Sequence, residues 1–452
     1  MSPFDGEAEA VAYMDGLGRF ATLGLARVEA LTEALGRPDR QFAPYHVAGT
    51  NGKGSVCAFL AAILAAQGIR AGLYTSPHLQ EPSERIIVDQ ERVAGPDLAQ
   101  AAAAVRAVAT ALPEAPTAFE AWTAAAFWHF ARAGVPVAVV EVGLGGRGDA
   151  TAVLERPLAS VLATVHRDHV AQLGPTLDRI ATEKAGVFRA GRPVVLGRLG
   201  AAARAVAEDR ARALGCPLAR LGEEVRARAL LPDDDGRWSF DLELRLGAAV
   251  ERLPALRPGL AGRHQVDNAA LAVAALRMGE RAGGPHVGEA AIRAGLARAL
   301  WPGRLEAAGE VLIDGAHNLQ GARALSNHLD RLGGRVVWVL GGLADRAPSD
   351  LLGPLLGHAR AVVATTVSSP RARSAGAWAR LCARRGRPAA TAADVAEAVA
   401  RARAVRRPGE RVLVAGSLYL AGEARTALGL GPPWPRATAL AAGPGVEQGD
   451  GA

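Results

Sequence analysis

The sequence predicts an α/β protein with two domains. The first, residues 1–300, is a phosphate-binding domain built on a mostly parallel sheet; the second, residues 301–430, is smaller and of nucleotide-binding type. Three observations carry this prediction. Residues 45–48 form a short apolar run that enters a glycine-rich turn, and residues 56–66 follow as an apolar, alanine-rich helix pattern. Later apolar runs are continuous, as strands buried on both faces are, and three of them close in Glu141, His166 and Asp314. Past the break at Trp301-Pro302-Gly303-Arg304, strand and helix patterns alternate again.

The turn itself reads Gly49-Thr50-Asn51-Gly52-Lys53-Gly54-Ser55. Strand, glycine turn and helix together aim backbone N–H groups and a helix N-terminus at a phosphate. Glycine allows the close backbone approach that a Cβ would block, and Lys53 supplies a point charge for the β/γ-phosphates. The spelling departs from the common phosphate loop, where the hydroxyl residue directly follows the lysine; here Gly54 precedes Ser55. Lysine usage strengthens the reading. Of 52 basic residues only Lys53 and Lys184 are lysine, leaving 50 arginines. Where arginine is the default cation, a surviving lysine marks a position that a guanidinium cannot fill, at a phosphate or as a reactive amine. The bland alternative is chance survival.

The 452 residues are half apolar, enough for two or three domains with a sizeable core. The net charge is +7, but the arginines are scattered and aromatics are only 4%. That argues against nucleic-acid binding, which needs clustered basic residues and stacking rings, and suits an anionic small molecule. Three separated cysteines, Cys57, Cys216 and Cys382, imply reduced thiols and a cytoplasmic setting. No apolar run has the length of a membrane span, and the N-terminus lacks a signal-peptide pattern.

Taken in order, residues 1–35 read as two helices broken around 19–24, and residues 38–44 as a loop leading into the phosphate strand. Residues 69–74 are the next strand, with Thr75-Ser76-Pro77-His78-Leu79 as a loop at its C-terminal end, where ligand groups collect in open α/β sheets. Residues 97–112 are an alanine-rich helix. Thr117 is a candidate N-cap with Glu120 three residues on, a capping-box spacing that by itself accounts for Glu120. Residues 136–140 form a strand closing in Glu141, which is placed to hold Mg²⁺ directly or through water. Residues 159–165 form another, ending in His166-Arg167-Asp168-His169; His169 is either a surface histidine or a ligand. Residues 192–197 are a strand, and residues 201–250 are polar, with Asp233-Asp234-Asp235-Gly236 as a solvated hairpin rather than a Ca²⁺ loop. Asn268 lies in a helix pattern over 262–277, and residues 287–300 are helical.

In the second domain, residues 311–313 run into Asp314-Gly315-Ala316-His317-Asn318, and residues 336–340 run into Gly341-Gly342. Residues 361–365 and 412–415 are further strands, the last entering Gly416-Ser417-Leu418-Tyr419. The Pro-, Gly- and Ala-rich end, residues 431–452, is expected to be a disordered, dispensable tail.

Together these motifs resemble folylpolyglutamate synthase and the bifunctional dihydrofolate synthase/folylpolyglutamate synthase of the Mur ligase superfamily. The match rests on Gly49 to Ser55, Tyr74 to Leu79, Glu141 to Thr151, Asp168-His169 with Leu173-Gly174, Glu183 to Gly186, Pro302 to Arg304, Asp314 to Asn318 and Gly416 to Tyr419, in the family's order. The resemblance implies a P-loop ATPase domain followed by a Rossmann-like domain, with the active site between them. It implies that Thr50, Asn51, Gly52 and Lys53 bind the ATP phosphates and that Asn268, Arg304 and Asp314 contact ATP. It implies that Ser76, Glu141 and His169 hold Mg²⁺ at two sites, that Lys184 is carbamylated, and that His317 lies near the phosphate. Thr22, Leu23, Gly24 and Leu25, with Thr117, Ala118, Phe119 and Glu120 and with Gly148, Asp149 and Ala150, match the pterin-substrate segments of bifunctional members. Three positions depart: Gly148 replaces a usual leucine, Val153 stands near a usual asparagine, and Arg346 replaces a frequent lysine.

The implied chemistry makes a carboxylate electrophilic with ATP, as an acyl phosphate, and then lets the amine of L-glutamate attack it. The substrates are a folate or dihydropteroate, L-glutamate and ATP, and the protein is expected to act as a monomer. Two rival readings are a Mur-type ligase of cell-wall precursors and a nucleotide-dependent switch without ligation.

Overall fold

The computed structural model describes residues 4–18, 24–248 and 250–440. Its first sheet has eight strands: β1 Ala43–Ala48, β2 Ala71–Tyr74, β3 Ile86–Val88, β4 Glu91–Arg92, β5 Val137–Glu141, β6 Ala159–Leu162, β7 Val194–Leu196 and β8 Leu218–Arg220. The spatial order is β4-β3-β2-β5-β1-β6-β7-β8. Six strands are parallel, and β3 and β4 are added antiparallel at one edge. β1 sits between β5 and β6, with Val47 opposite both Glu141 and Val161. The loops after these three strands therefore open side by side at one end of the sheet, the usual ligand edge of such folds.

One face of the sheet is covered by helices Lys53–Ala66, His264–Arg281 and Glu289–Arg298, the other by Gly95–Ala109 and Ala118–Arg132. Lys53–Ala66 is buried at every position from Gly54 to Leu64, which explains its all-round apolar sequence. An antiparallel sheet of β9 Val225–Pro232, β10 Trp238–Leu244 and β11 Glu251–Leu256 packs onto the first core. Its β9–β10 connection is the expected solvated hairpin: Asp233 Oδ1 accepts the Arg237 N–H at 2.8 Å.

The second sheet consists of β12 Glu306–Ala308, β13 Val311–Asp314, β14 Val336–Leu340, β15 Ala359–Ala364, β16 Ala389–Thr391 and β17 Arg411–Ala415. Its order is β12-β13-β17-β14-β15-β16, parallel except at β12. Apolar clusters cover both faces, as the continuous Val-Val-Trp-Val-Leu run of β14 requires.

Two expectations are corrected. The polar stretch after residue 200, to which no helix was assigned, opens with one: Ala201–Ala213 is a helix whose buried stripe is Ala203, Ala207 and Ala211, four residues apart among charges. The tail is not free from residue 431 on. Residues 435–437 pair with Arg92 of β4, and Trp434 is only 6% exposed; one large ring supplies apolar burial that the composition of the segment as a whole does not suggest. Residues 441–452 lie outside the described residues.

Candidate active site between the two sheets

The phosphate helix begins at Lys53, three residues before the apolar run, and Gly52 is its N-cap with φ 89° and no capping side chain. The first-turn amides are thus left for a ligand. Gly52 is required twice, by its positive φ and because a Cβ there would stand 2.6 Å from Asn268 Oδ1. Gly54 has its own reason: a Cβ would stand 2.6 Å from the Trp301 indole, which covers this first turn. That contact accounts for the glycine inserted between lysine and serine. Thr50 Oγ1 accepts the His166 N–H at 3.0 Å, and Asn51 N–H donates to Thr164 Oγ1 at 2.9 Å, so the loop is fastened to the end of β6.

Glu141, 6% exposed at the end of β5, faces Lys53 Nζ at 3.9 Å and accepts the Ser76 N–H at 3.3 Å. Burial pushes its carboxyl up, while Lys53 and the Ser76 amide oppose the shift. Beyond these two partners its oxygens keep unused lone pairs, and with the Ser76 hydroxyl they make a hard oxygen donor set that suits Mg²⁺. Lys184 is 5% exposed, and its Nζ donates to the Gly49 carbonyl at 2.9 Å. Burial and then Lys53 bring its amine down to about 7. His169 sits in the left-handed region, φ 50°, at the start of the short helix Val170–Leu173. Burial lowers its basicity, and the charges of Arg346, Lys53 and Lys184 add to that.

The second domain supplies the opposite wall. Asp314 ends β13 and accepts the Leu305 and Ala316 N–H groups at 2.9 and 2.8 Å. His317 donates from Nδ1 to the Gly315 carbonyl at 2.9 Å, which leaves Nε2 as an acceptor; burial brings the ring down to about 4, so it is neutral. Arg304, on the linker, abuts Gly315 and lines a cleft with Ser76, Glu141 and Trp301. Asn51 and Asn318 exchange side-chain hydrogen bonds at 3.2 and 3.0 Å across the boundary. Asn318 and Arg346 both reach Asp168, which sequence reading had left without a role.

The Mur ligase middle domain family matches residues 47–276, and the Mur ligase glutamate ligase domain family matches residues 303–418. Folylpolyglutamate synthase of Lacticaseibacillus casei is 34% identical over 444 residues, covering 93% of this chain and 98% of the relative. The chain belongs to the folylpolyglutamate synthase family of Mur ligases. Two solved members superpose closely. Mycobacterium tuberculosis folylpolyglutamate synthase complexed with ADP gives a TM-score of 0.85 at 32% identity, covering 94% of this chain and 100% of that one. E. coli FolC in complex with DHPP and ADP gives 0.84 at 30% identity, covering 94% and 98%.

Of the three segments expected to meet the pterin substrate, Thr22 and Leu23 lie outside the described residues. The other positions are drawn together. Arg27, just after Gly24 and Leu25, pairs with Glu120 at 3.1 Å. Glu120 and Thr117 form the expected capping box on Ala118–Arg132. Phe119 packs on Gly143, where a Cβ would stand 2.3 Å from its ring. Asp149, 3% exposed beside Ala150 and Gly148, accepts Leu144 N–H at 2.7 Å, Thr151 N–H at 3.0 Å and the Thr151 hydroxyl at 2.5 Å. Its carboxylate thus folds its own loop. His46, fully buried on β1, donates to the Thr151 hydroxyl at 2.8 Å and ties that loop to the phosphate strand. Sequence reading missed His46; a histidine inside an otherwise apolar strand was its only signal.

Proposed function

We propose that this chain is an ATP-dependent amide ligase that joins L-glutamate to a reduced folate and also to dihydropteroate, through an acyl phosphate. The observation that carries the reading is the pairing of Lys53 with buried Glu141 at the uncapped helix N-terminus, in a cleft shared with Arg304 of the linker. DHPP bound to a relative of the same fold supports dihydropteroate as a substrate.

Thr50, Asn51, Gly52 and Lys53 hold the ATP phosphates, with Asn268 behind the loop and Arg304 and Asp314 closing from the other domain. Lys53 and Arg304 spread the charge of the transferring phosphoryl group. Mg²⁺ at Ser76, Glu141 and His169 would neutralise phosphate charge and polarise the transferring group. With burial bringing its amine down to about 7, Lys184 can give up its proton near neutral pH and take up CO₂ as a carbamate, becoming a second anionic ligand beside His169. His317, neutral with Nε2 unprotonated, accepts a hydrogen bond from the incoming amine. The interdomain contacts at Asn51 and Asp168 exclude water, which protects the acyl phosphate from hydrolysis.

We place the enzyme in the cytoplasm as a monomer. Its cysteines are unpaired, no helix among the described residues is long and apolar enough to cross a membrane, and its exposed large apolar side chains come singly from separate segments. The deciding experiment is ADP release measured with and without L-glutamate, using a tetrahydrofolate and dihydropteroate in separate reactions. Glutamate-dependent release with both is expected. Release with the tetrahydrofolate alone removes the second activity, and release with neither removes the ligase reading.

A further inference from the structure

The chain crosses the domain boundary twice at one place. It leaves the first domain through the linker at Trp301, and after the last helix, Leu418–Ala427, it comes back. The returning strap lies along β4: Arg92 N–H donates to the Pro435 carbonyl at 2.8 Å, and Ala437 N–H donates to the Arg92 carbonyl at 2.9 Å. Arg92 Nε adds a bond to the Trp434 carbonyl at 2.8 Å. The start of the strap is fastened to the linker. Arg425, 3% exposed, pairs with Glu306 and donates to the Gly431 carbonyl at 2.5 Å, while Glu306 accepts the Gly303 N–H at 2.8 Å.

Trp434 is the buried centre of this arrangement. Its ring centroid is 5.6 Å from that of Trp301, and Trp301 in turn covers Gly54. A line of contact therefore runs from the C-terminal strap through two indoles to the residue next to Lys53. Trp434 also shares the cleft wall with Ser76, Glu141 and Arg304. Trp301 is thus backed by a second indole, which the strap's bonds to Arg92 hold in place.

We propose that Trp434, acting through Trp301, is a positioning residue for the nucleotide site of the ligase described above, on which reading the proposal rests. It keeps the first turn of the phosphate helix and the linker bearing Arg304 in one fixed relation. Small misplacements of a reacting group are costly, up to about a hundredfold for ~1 Å.

The test compares the full-length protein with Trp434→Ala and Trp434→Phe, at a temperature where melting curves show all three folded. The readouts are ADP affinity by calorimetry and glutamate-dependent turnover. The alanine variant is expected to bind ADP about tenfold more weakly, ~1.4 kcal/mol, with turnover falling by about tenfold to a hundredfold, and phenylalanine to restore most of both. A tryptophan that merely anchors the tail would lower the melting midpoint and leave ADP affinity at the wild-type value; that result overturns the proposal. Should the alanine variant not fold, Trp434→Leu, which keeps apolar volume without a flat ring, takes its place with the same two outcomes. A wild-type protein that binds ADP yet shows no glutamate-dependent turnover would strike the ligase reading alone, and ADP affinity would still decide the role of Trp434.

Discussion

Arg346 of the second domain reaches across the cleft and grips Asp168 of the first. The other oxygen of Asp168 takes the Asn318 side-chain N–H at 3.3 Å, so one buried carboxylate holds two elements of the opposite domain. Burial works against its charge, but His169 and Arg346 together bring it from 3.8 down to about 2. A carboxyl with a lowered folded value stabilises the protein above its unfolded value and loses that contribution as pH falls toward the folded one. The stability gap between wild type and Arg346→Met should therefore be full above about pH 4 and close as the pH falls from about 4 toward 2, read from denaturant midpoints. At neutral pH the variant should lose on the order of tenfold in turnover, and Arg346→Lys should recover part of it. A gap that is independent of pH would separate this contact from Asp168.

Lys184 shifts stability in the same direction with pH, but over a higher window. Its folded value, about 7, lies below the ordinary 10.5, so between those values the unfolded chain holds a proton that the folded chain has given up, and stability rises with pH. In CO₂-free buffer, Lys184→Met should gain more in melting midpoint over the parent at pH 7 than at pH 9.5. Both Lys184→Arg and Lys184→Ala should lose at least ~10² in turnover, and a small carboxylic acid at high concentration should partly restore the alanine variant. Normal turnover in the arginine variant would refute the carbamate.

Lys53→Ala should cost on the order of 10²–10³ in turnover, the usual loss for one transition-state donor. Lys53→Arg should fail too, because a planar fork does not fit a loop shaped around a point charge and already closed by Glu141 at 3.9 Å. Near-normal kinetics of the arginine variant would show that lysine is not demanded here.

Gly54→Ala puts a methyl group 2.6 Å from the Trp301 indole. It should lower turnover by about tenfold or more, and a second change, Trp301→Leu, should return part of the loss by making room. If the double variant is no better than the product of the two single changes, the clash is not the cause.

Local chemistry was legible in the sequence. The phosphate turn, Glu141 at a strand end and the Thr117–Glu120 capping box are each encoded within a dozen residues, so motif and mechanism could be read together. Asn51 with Asn318, and Asp168 with Arg346, are 267 and 178 residues apart, and nothing near either member announces the other. The helix Ala201–Ala213 was hidden because its buried stripe is alanine, which carries little apolar contrast against the intervening arginines and acids. The tail misled for a different reason: average composition describes a segment that cannot fold by itself, whereas docking here depends on a single indole and on backbone groups of an edge strand.

The chain's two lysines both lie within the candidate site, Lys184 5% exposed and the Lys53 side chain 17% exposed. Arginine carries the positive charge everywhere else. Amine-directed reagents should therefore find few targets on the folded protein besides the N-terminus. Acylation of Lys53, followed by peptide mass, becomes a footprint of the nucleotide site, and its protection by added ADP reads occupancy without any folate or glutamate present. The same scarcity means that coupling the protein to a surface through its amines would either fix it by the N-terminus or inactivate it.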